Sequence, residues 1–153
     1  MGVLYDYFRA PSDDAAIALI GEFGGGPVVV ADSSRTVDAV DLKGIDPGVA
    51  LGSLVGFVRG VHRRKDLVRS DLLWSLDEQG PWLLSIDDDA RDTLAAITDG
   101  QVPALSAQWG RIEELAGDGP LPDGQLIPVI DTISGLARRA REAGDHLYCW
   151  CCL

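Results

Sequence analysis

The chain has 153 residues, 46% of them hydrophobic and 24% charged, with a net charge of -11 from 24 acidic and 13 basic side chains. A chain this long and apolar buries roughly 70% of its unfolded surface, which excludes a disordered polymer and removes any need for a disulfide or metal staple. The acidic field repels nucleic acid phosphates and anionic lipid heads, so neither nucleic acid nor membrane is an expected partner. A basic protein partner fits that field.

The opening "MGVLYDYFRAPSDD" lacks the basic start and apolar run of a secretory signal, and Asp6 stands where myristoylation wants Ser or Thr. The longest uncharged stretch, 47–58, is twelve residues, short of the roughly 20 that span a bilayer. A cytoplasmic, soluble protein is expected. Two lysines against eleven arginines, with no asparagine, fit a bacterial host with a GC-rich, actinobacterial type of genome.

In chain order, the aromatic and β-branched residues of 3–8 predict a strand stopped by Pro11. Ser12 or Asp13 then caps a helix with Ile17, Leu19 and Ile20 among its apolar positions, and Gly24, Gly25 and Gly26 end it. "PVVVAD" reads as the next strand. Asp46 before Pro47 marks the start of a helix whose buried face carries Val49, Leu54, Phe57, Val58 and Val61. "DLVRSDLLWSL" fits either a short helix or a strand. Residues 82–86 read as a strand running into a helix capped by Asp87, Asp88 and Asp89 and ended by Gly100.

The spacing of Leu105, Trp109, Ile112 and Leu115 predicts another helix, and "GPLPDG" a turn. A last helix over about 125–143 aligns Ile127, Ile130, Ile133, Leu136 and Ala140, with Pro128 in its first turn. "HLYCWCC" returns as a strand. No repeat or linker divides the chain, so residues 1–153 read as one globular domain.

Few segments carry recognisable chemistry. The glycine run follows a helix and precedes a strand, the reverse of the strand, loop, helix order of phosphate cradles. Ser53 in "LGSLVG" lacks the nucleophile elbow, and there is no HExxH or paired CxxC. No cofactor is implied. Asp87 and Asp89 suit a hard cation by type, but carboxylates in a first helical turn serve equally to cap free N–H groups. Trp74, Trp82, Trp109 and Trp150 read as core anchors.

"RGVHRRKDLVR" gathers Arg59, His62, Arg63, Arg64, Lys65 and Arg69 within an acidic chain. Cations at a helix C-terminus complement the dipole. The functional alternative is an anion pocket of Arg59, His62, Arg63 and Arg64, in which Arg63 or Arg64 grips a carboxylate or phosphate and His62 moves a proton.

The tail places Cys149, Cys151 and Cys152 within four residues. Strand alternation puts Leu147, Cys149, Cys151 and Leu153 on one face and His146, Tyr148, Trp150 and Cys152 on the other, so neither face offers a tetrahedral metal cage. A central strand covered on both sides, with cysteine as a small apolar filler, explains the pattern.

"MGVLYDYF", "VDLKGIDPGVALGSLVGFV", "WLLSIDDDARDTLAAI" and "LARRAREAGDHLYCWCCL" in this order resemble the small bacterial YfbM-like proteins. The resemblance implies a single α+β domain, a modest mixed sheet packed with about five helices, and it carries no catalytic residues across. Two functions remain open: a non-enzymatic binding or interaction protein engaging a basic partner, immunity-like in its concrete form, and a small enzyme or binding protein for an anionic metabolite using His62, Arg63 and Arg64.

Overall fold

The computed structural model describes residues 3–29, 37–61, 67–117, 119, 121–122 and 124–153. Its first strand, β1 (Leu4–Ala10), leads into α1 (Asp13–Glu22), where the Ser12 hydroxyl accepts from the Ala15 N–H at 3.1 Å. There follow β2 (Ala39–Asp41), α2 (Ala50–Arg59), and β3 (Leu72–Ser75), which resolves the ambiguous "DLVRSDLLWSL" as a strand. Next come β4 (Trp82–Ile86), α3 (Asp88–Ala95), a 3-10 turn (Asp99–Gln101), α4 (Val102–Trp109) and α5 (Glu113–Ala116). The long helix α6 (Ile127–Ala143) and the strand β5 (His146–Cys152) complete the chain.

The strands form one sheet in the order β2-β1-β5-β4-β3. Every neighbouring pair is antiparallel, so the sheet is not mixed: β5 runs against both β1 and β4. The cysteine strand is the central one. Its seven residues pair in register with the seven of β1, from Leu4 opposite Cys152 to Ala10 opposite His146.

Strand alternation divides the interior into two layers. Leu147 and Cys149 join Tyr7 and Ile86 beneath α2, α3, α4 and α6, while Tyr148 and Trp150 join Phe8 and Leu83 beneath α1. Both faces of the tail are therefore buried along 147–151, whereas Leu153, expected on the Cys149 face, lies beyond the strand and is exposed. Five of the six helices, α2 to α6, pack on one face, α5 through Leu115, and α1 packs on the other, making a single α+β domain whose larger core lies under α2 and α6.

Helix α2 is covered all round: Ala50 through Gly56 are buried, and Trp109 donates its indole N–H to the Ala50 carbonyl at 2.8 Å. Val49 and Val61, expected on its buried face, are exposed, because the first lies in the turn before the helix and the second beyond its Gly60 cap. The helix starts later than Asp46 and Pro47 suggested, with Val49 as its N-cap; Asp46 instead fastens the turn that leads into it, accepting from the Val49 N–H at 2.7 Å and the Ala50 N–H at 3.0 Å. On α6, Ile130, Ile133, Leu136 and Ala140 are fully buried, and Gly144 ends the helix at a positive φ of 72°.

Candidate functional site

Of the four residues expected to form an anion pocket, Arg59 is the one within the described chain; His62, Arg63 and Arg64 lie outside the described residues. Arg59 sits in the last turn of α2, where a cation complements the helix dipole. It is exposed, and its Nε donates to the Thr93 hydroxyl at 2.9 Å.

Two other clusters, at opposite ends of the sheet, bring charged groups together. The first lies where β1 ends and β5 starts. Arg9 bridges Asp38 and Asp145 at 2.7 Å each, and Asp38 also receives two bonds from Arg139 at 2.7 and 2.9 Å. Arg91 reaches Asp92 at 3.0 Å, Asp88 at 3.3 Å and the Asp145 carbonyl at 2.7 Å, while His146 Nδ1 lies 2.7 Å from Asp88. The Arg139 hydrogen bonds, reinforced by Arg9, hold the Asp38 carboxyl below the usual range. A cavity of about 690 Å³ adjoins this network, lined by Arg9, Asp38 and Arg139 with Ala10, Pro11 and Leu19. Each arginine here already meets a carboxylate, so the network fastens β1, α3, α6 and β5 together.

The second cluster lines a cleft of about 670 Å³ among the start of β1, the turn at 46–48 and the segment before β3. Tyr5, Asp46, Arg69, Ser70 and Asp71 surround it, and Val68, Leu84 and Cys151 supply apolar surface. Both Asp46 oxygens accept backbone N–H groups in the turn that leads into α2. No described residue pairs with the Arg69 guanidinium, the Asp71 carboxylate or the Tyr5 hydroxyl. Burial, then the nearby Asp46 charge, raises the Tyr5 phenol above its ordinary value; burial, then Cys152, raises the Cys151 thiol. A thiol held protonated is a poor nucleophile. Sequence reasoning passed over this cleft, although Arg69 was legible as the last member of the basic run.

The aspartate run takes its capping role. Asp87 accepts from the Ala90 N–H at 3.0 Å and from the Arg69 N–H at 2.7 Å. Among the described residues, no three His, Cys, Asp or Glu side chains are arranged to hold a metal ion. The three cysteines are free thiols, with Cys149 and Cys151 buried and Cys152 half-buried. Among the described residues, no helix is long and apolar enough to cross a membrane.

The fold defines the chain as a single-domain α+β protein with a closed cysteine core strand. No family model matches it, nor does any curated protein or solved structure.

Proposed function

We propose that this is a binding protein for a basic protein partner, immunity-like in that an acidic domain would block a basic one through charge complementarity. One observation carries the reading. Arg9, Arg91, Arg138 and Arg139 turn onto acceptors of their own chain, whereas Asp77, Glu78, Glu113 and Glu114 are exposed. Part of the positive charge is thus taken up by acceptors of the same chain while these carboxylates face outward, and the whole chain carries -11. Such a surface raises association rates with cationic proteins and loses that advantage as salt rises.

The test is affinity capture from the cell of origin, followed by identification of the bound protein and a salt titration of the purified pair. A basic partner whose association weakens steeply with salt is the expected result, together with slower association when Asp77 and Glu78 are changed to lysine. An acidic partner, no partner, or binding indifferent to salt overturns the proposal.

A further inference from the structure

The sheet face that carries α1 is roofed along one cross-strand row and open along the next. Register sets Asp6 beside Trp150, Trp150 beside Leu83 and Leu83 beside Trp74. The glycine loop lies on that row. A Cβ on Gly26 would fall inside the Trp150 indole, a Cβ on Gly25 would stand 3.7 Å from Trp74, and the Val28 and Val29 N–H groups reach Asp6.

Two residues further along every strand, the same face carries a second row. Leu4 pairs with Cys152; Trp82 pairs with Cys151, which sets Pro81 across from Cys152; and the Leu76 N–H donates to the Pro81 carbonyl at 3.1 Å. Leu4, Cys152, Pro81 and Leu76 therefore stand abreast, an apolar row about 14 Å long at strand spacing. Leu4 is 38% and Leu76 66% exposed, while Cys152 and Pro81 are half-buried. One exposed leucine is ordinary; a continuous apolar row with a charged border marks a surface for a protein partner.

The border is lopsided. Asp77 and Glu78, both exposed, follow Leu76 in the hairpin turn. At the other end, the Leu42 N–H donates to the Tyr5 carbonyl and the Gly44 N–H to the Val3 carbonyl, so the β2 pairing runs on and sets exposed Lys43 across from Leu4. Exposed Asp41 lies two residues before Lys43 and balances it. The Leu4 end is thus neutral and the Leu76 end negative. A second copy of this chain fits poorly, since it brings its own net charge of -11 to the contact.

We propose that this row is the docking surface for the basic partner inferred above: an apolar side-chain cluster of the partner covers Leu4, Cys152, Pro81 and Leu76, and its lysines or arginines meet Asp77 and Glu78. The proposal rests on the basic-partner reading and adds the place, the apolar centre and the orientation. Burial of the leucines holds the complex; the carboxylates speed encounter and set direction.

The test titrates the full chain with three short peptides of equal length, alternating leucine with lysine, serine with lysine, and leucine with glutamate. NMR follows the methyl groups of Leu4 and Leu76, with Leu72, 59% exposed on the opposite sheet face, as the control. The leucine-lysine peptide should shift Leu4 and Leu76, leave Leu72 unmoved, and bind about tenfold more tightly than either other peptide. Leu76→Ser should weaken it about tenfold, and Asp77→Asn combined with Glu78→Gln about threefold at low salt. Asparagine keeps the oxygen that accepts the Gln79 N–H, and all three parent side chains are exposed, so the variants should fold as the parent does, which circular dichroism checks. Leucine-lysine binding that maps to other carboxylates overturns this surface and leaves the basic-partner reading standing. Equally tight binding of the leucine-glutamate peptide shows a surface blind to charge and overturns the proposal. So does an absence of shifts with all three peptides, a response at Leu72 equal to that at Leu76, or a chain that sediments as a dimer until Leu76 is replaced.

Discussion

Asp6 is the buried carboxylate of the sheet, 4% exposed, and it has taken over a backbone role. One of its oxygens accepts the N–H groups of both Val28 and Val29 at 3.0 Å. This explains why 27–29 of "PVVVAD" is not a strand: those amides bond to a side chain rather than a neighbouring ladder, while 30–32 lie outside the described residues. Burial raises the Asp6 carboxyl above its ordinary value despite the two N–H donors. The folded chain therefore holds that proton more tightly than the unfolded chain, and this contribution, full at acid pH, is lost as pH rises through the folded value. Asp38 has the opposite sign: its lowered carboxyl contributes stability above the unfolded carboxylate range, lost as pH falls through the folded value. Asp6→Asn keeps an oxygen for both amides and removes the charge, so its stability at neutral pH should equal or exceed the parent's. Asp6→Ala leaves both donors unpaired and should cost about 1–3 kcal/mol. Urea unfolding of the two variants at neutral pH checks this, and equal losses would refute the acceptor role. The thiols allow a second check at this scale. Burial raises Cys149 and Cys151, so a thiol reagent should modify half-buried Cys152 first and reach Cys149 only on unfolding, as mass spectrometry of the labelled peptides would show.

At the scale of elements, local signals located the strands and helices better than they located helix ends. The strand at 82–86 and the start of α3 lie where alternation and the aspartate cap place them. The stop expected at Gly100 comes earlier, at Ala95, because its agent is distant in sequence. Arg138 on α6 donates to the carbonyls of Ala95 and Ile97, satisfying the end of α3 from more than forty residues away. Apolar spacing alone cannot reveal such a cap. The helix expected through Trp109 and Leu115 divides into α4 and α5 at Gly110, which is buried and where a Cβ would stand 3.2 Å from the Ser106 carbonyl oxygen. Arg138→Met keeps the aliphatic packing but not the donors, and should cost about 1–3 kcal/mol in a thermal or urea melt. The glycine run has its own element-scale role. Gly26 has a φ of 94°, and a Cβ on it would fall inside the Trp150 indole, whose N–H donates to the Gly25 carbonyl at 2.8 Å. Gly26→Ala should destabilise by about 1–3 kcal/mol through backbone strain and overpacking, with a change in Trp150 fluorescence.

For the whole molecule, the architecture was more legible than the site. Alternation in "HLYCWCC" implied a strand buried on both faces, which made its central position readable, whereas antiparallel order depends on connections no local pattern records. The cleft lined by Tyr5, Asp46 and Val68 assembles from segments distant in sequence and had no motif to announce it. The same non-local character makes the sheet depend on its last strand. β1 pairs along its whole length with β5, and β4 pairs with β5 on the other side, so β5 joins the two halves of the sheet. Removing it would separate the β1–β2 pair from the β3–β4 hairpin and expose both cores. The most direct measurement is a thermal melt, by circular dichroism, of a chain stopped after Tyr148. The expected result is no cooperative transition; a soluble truncated chain that melts cooperatively would contradict the central role assigned to β5.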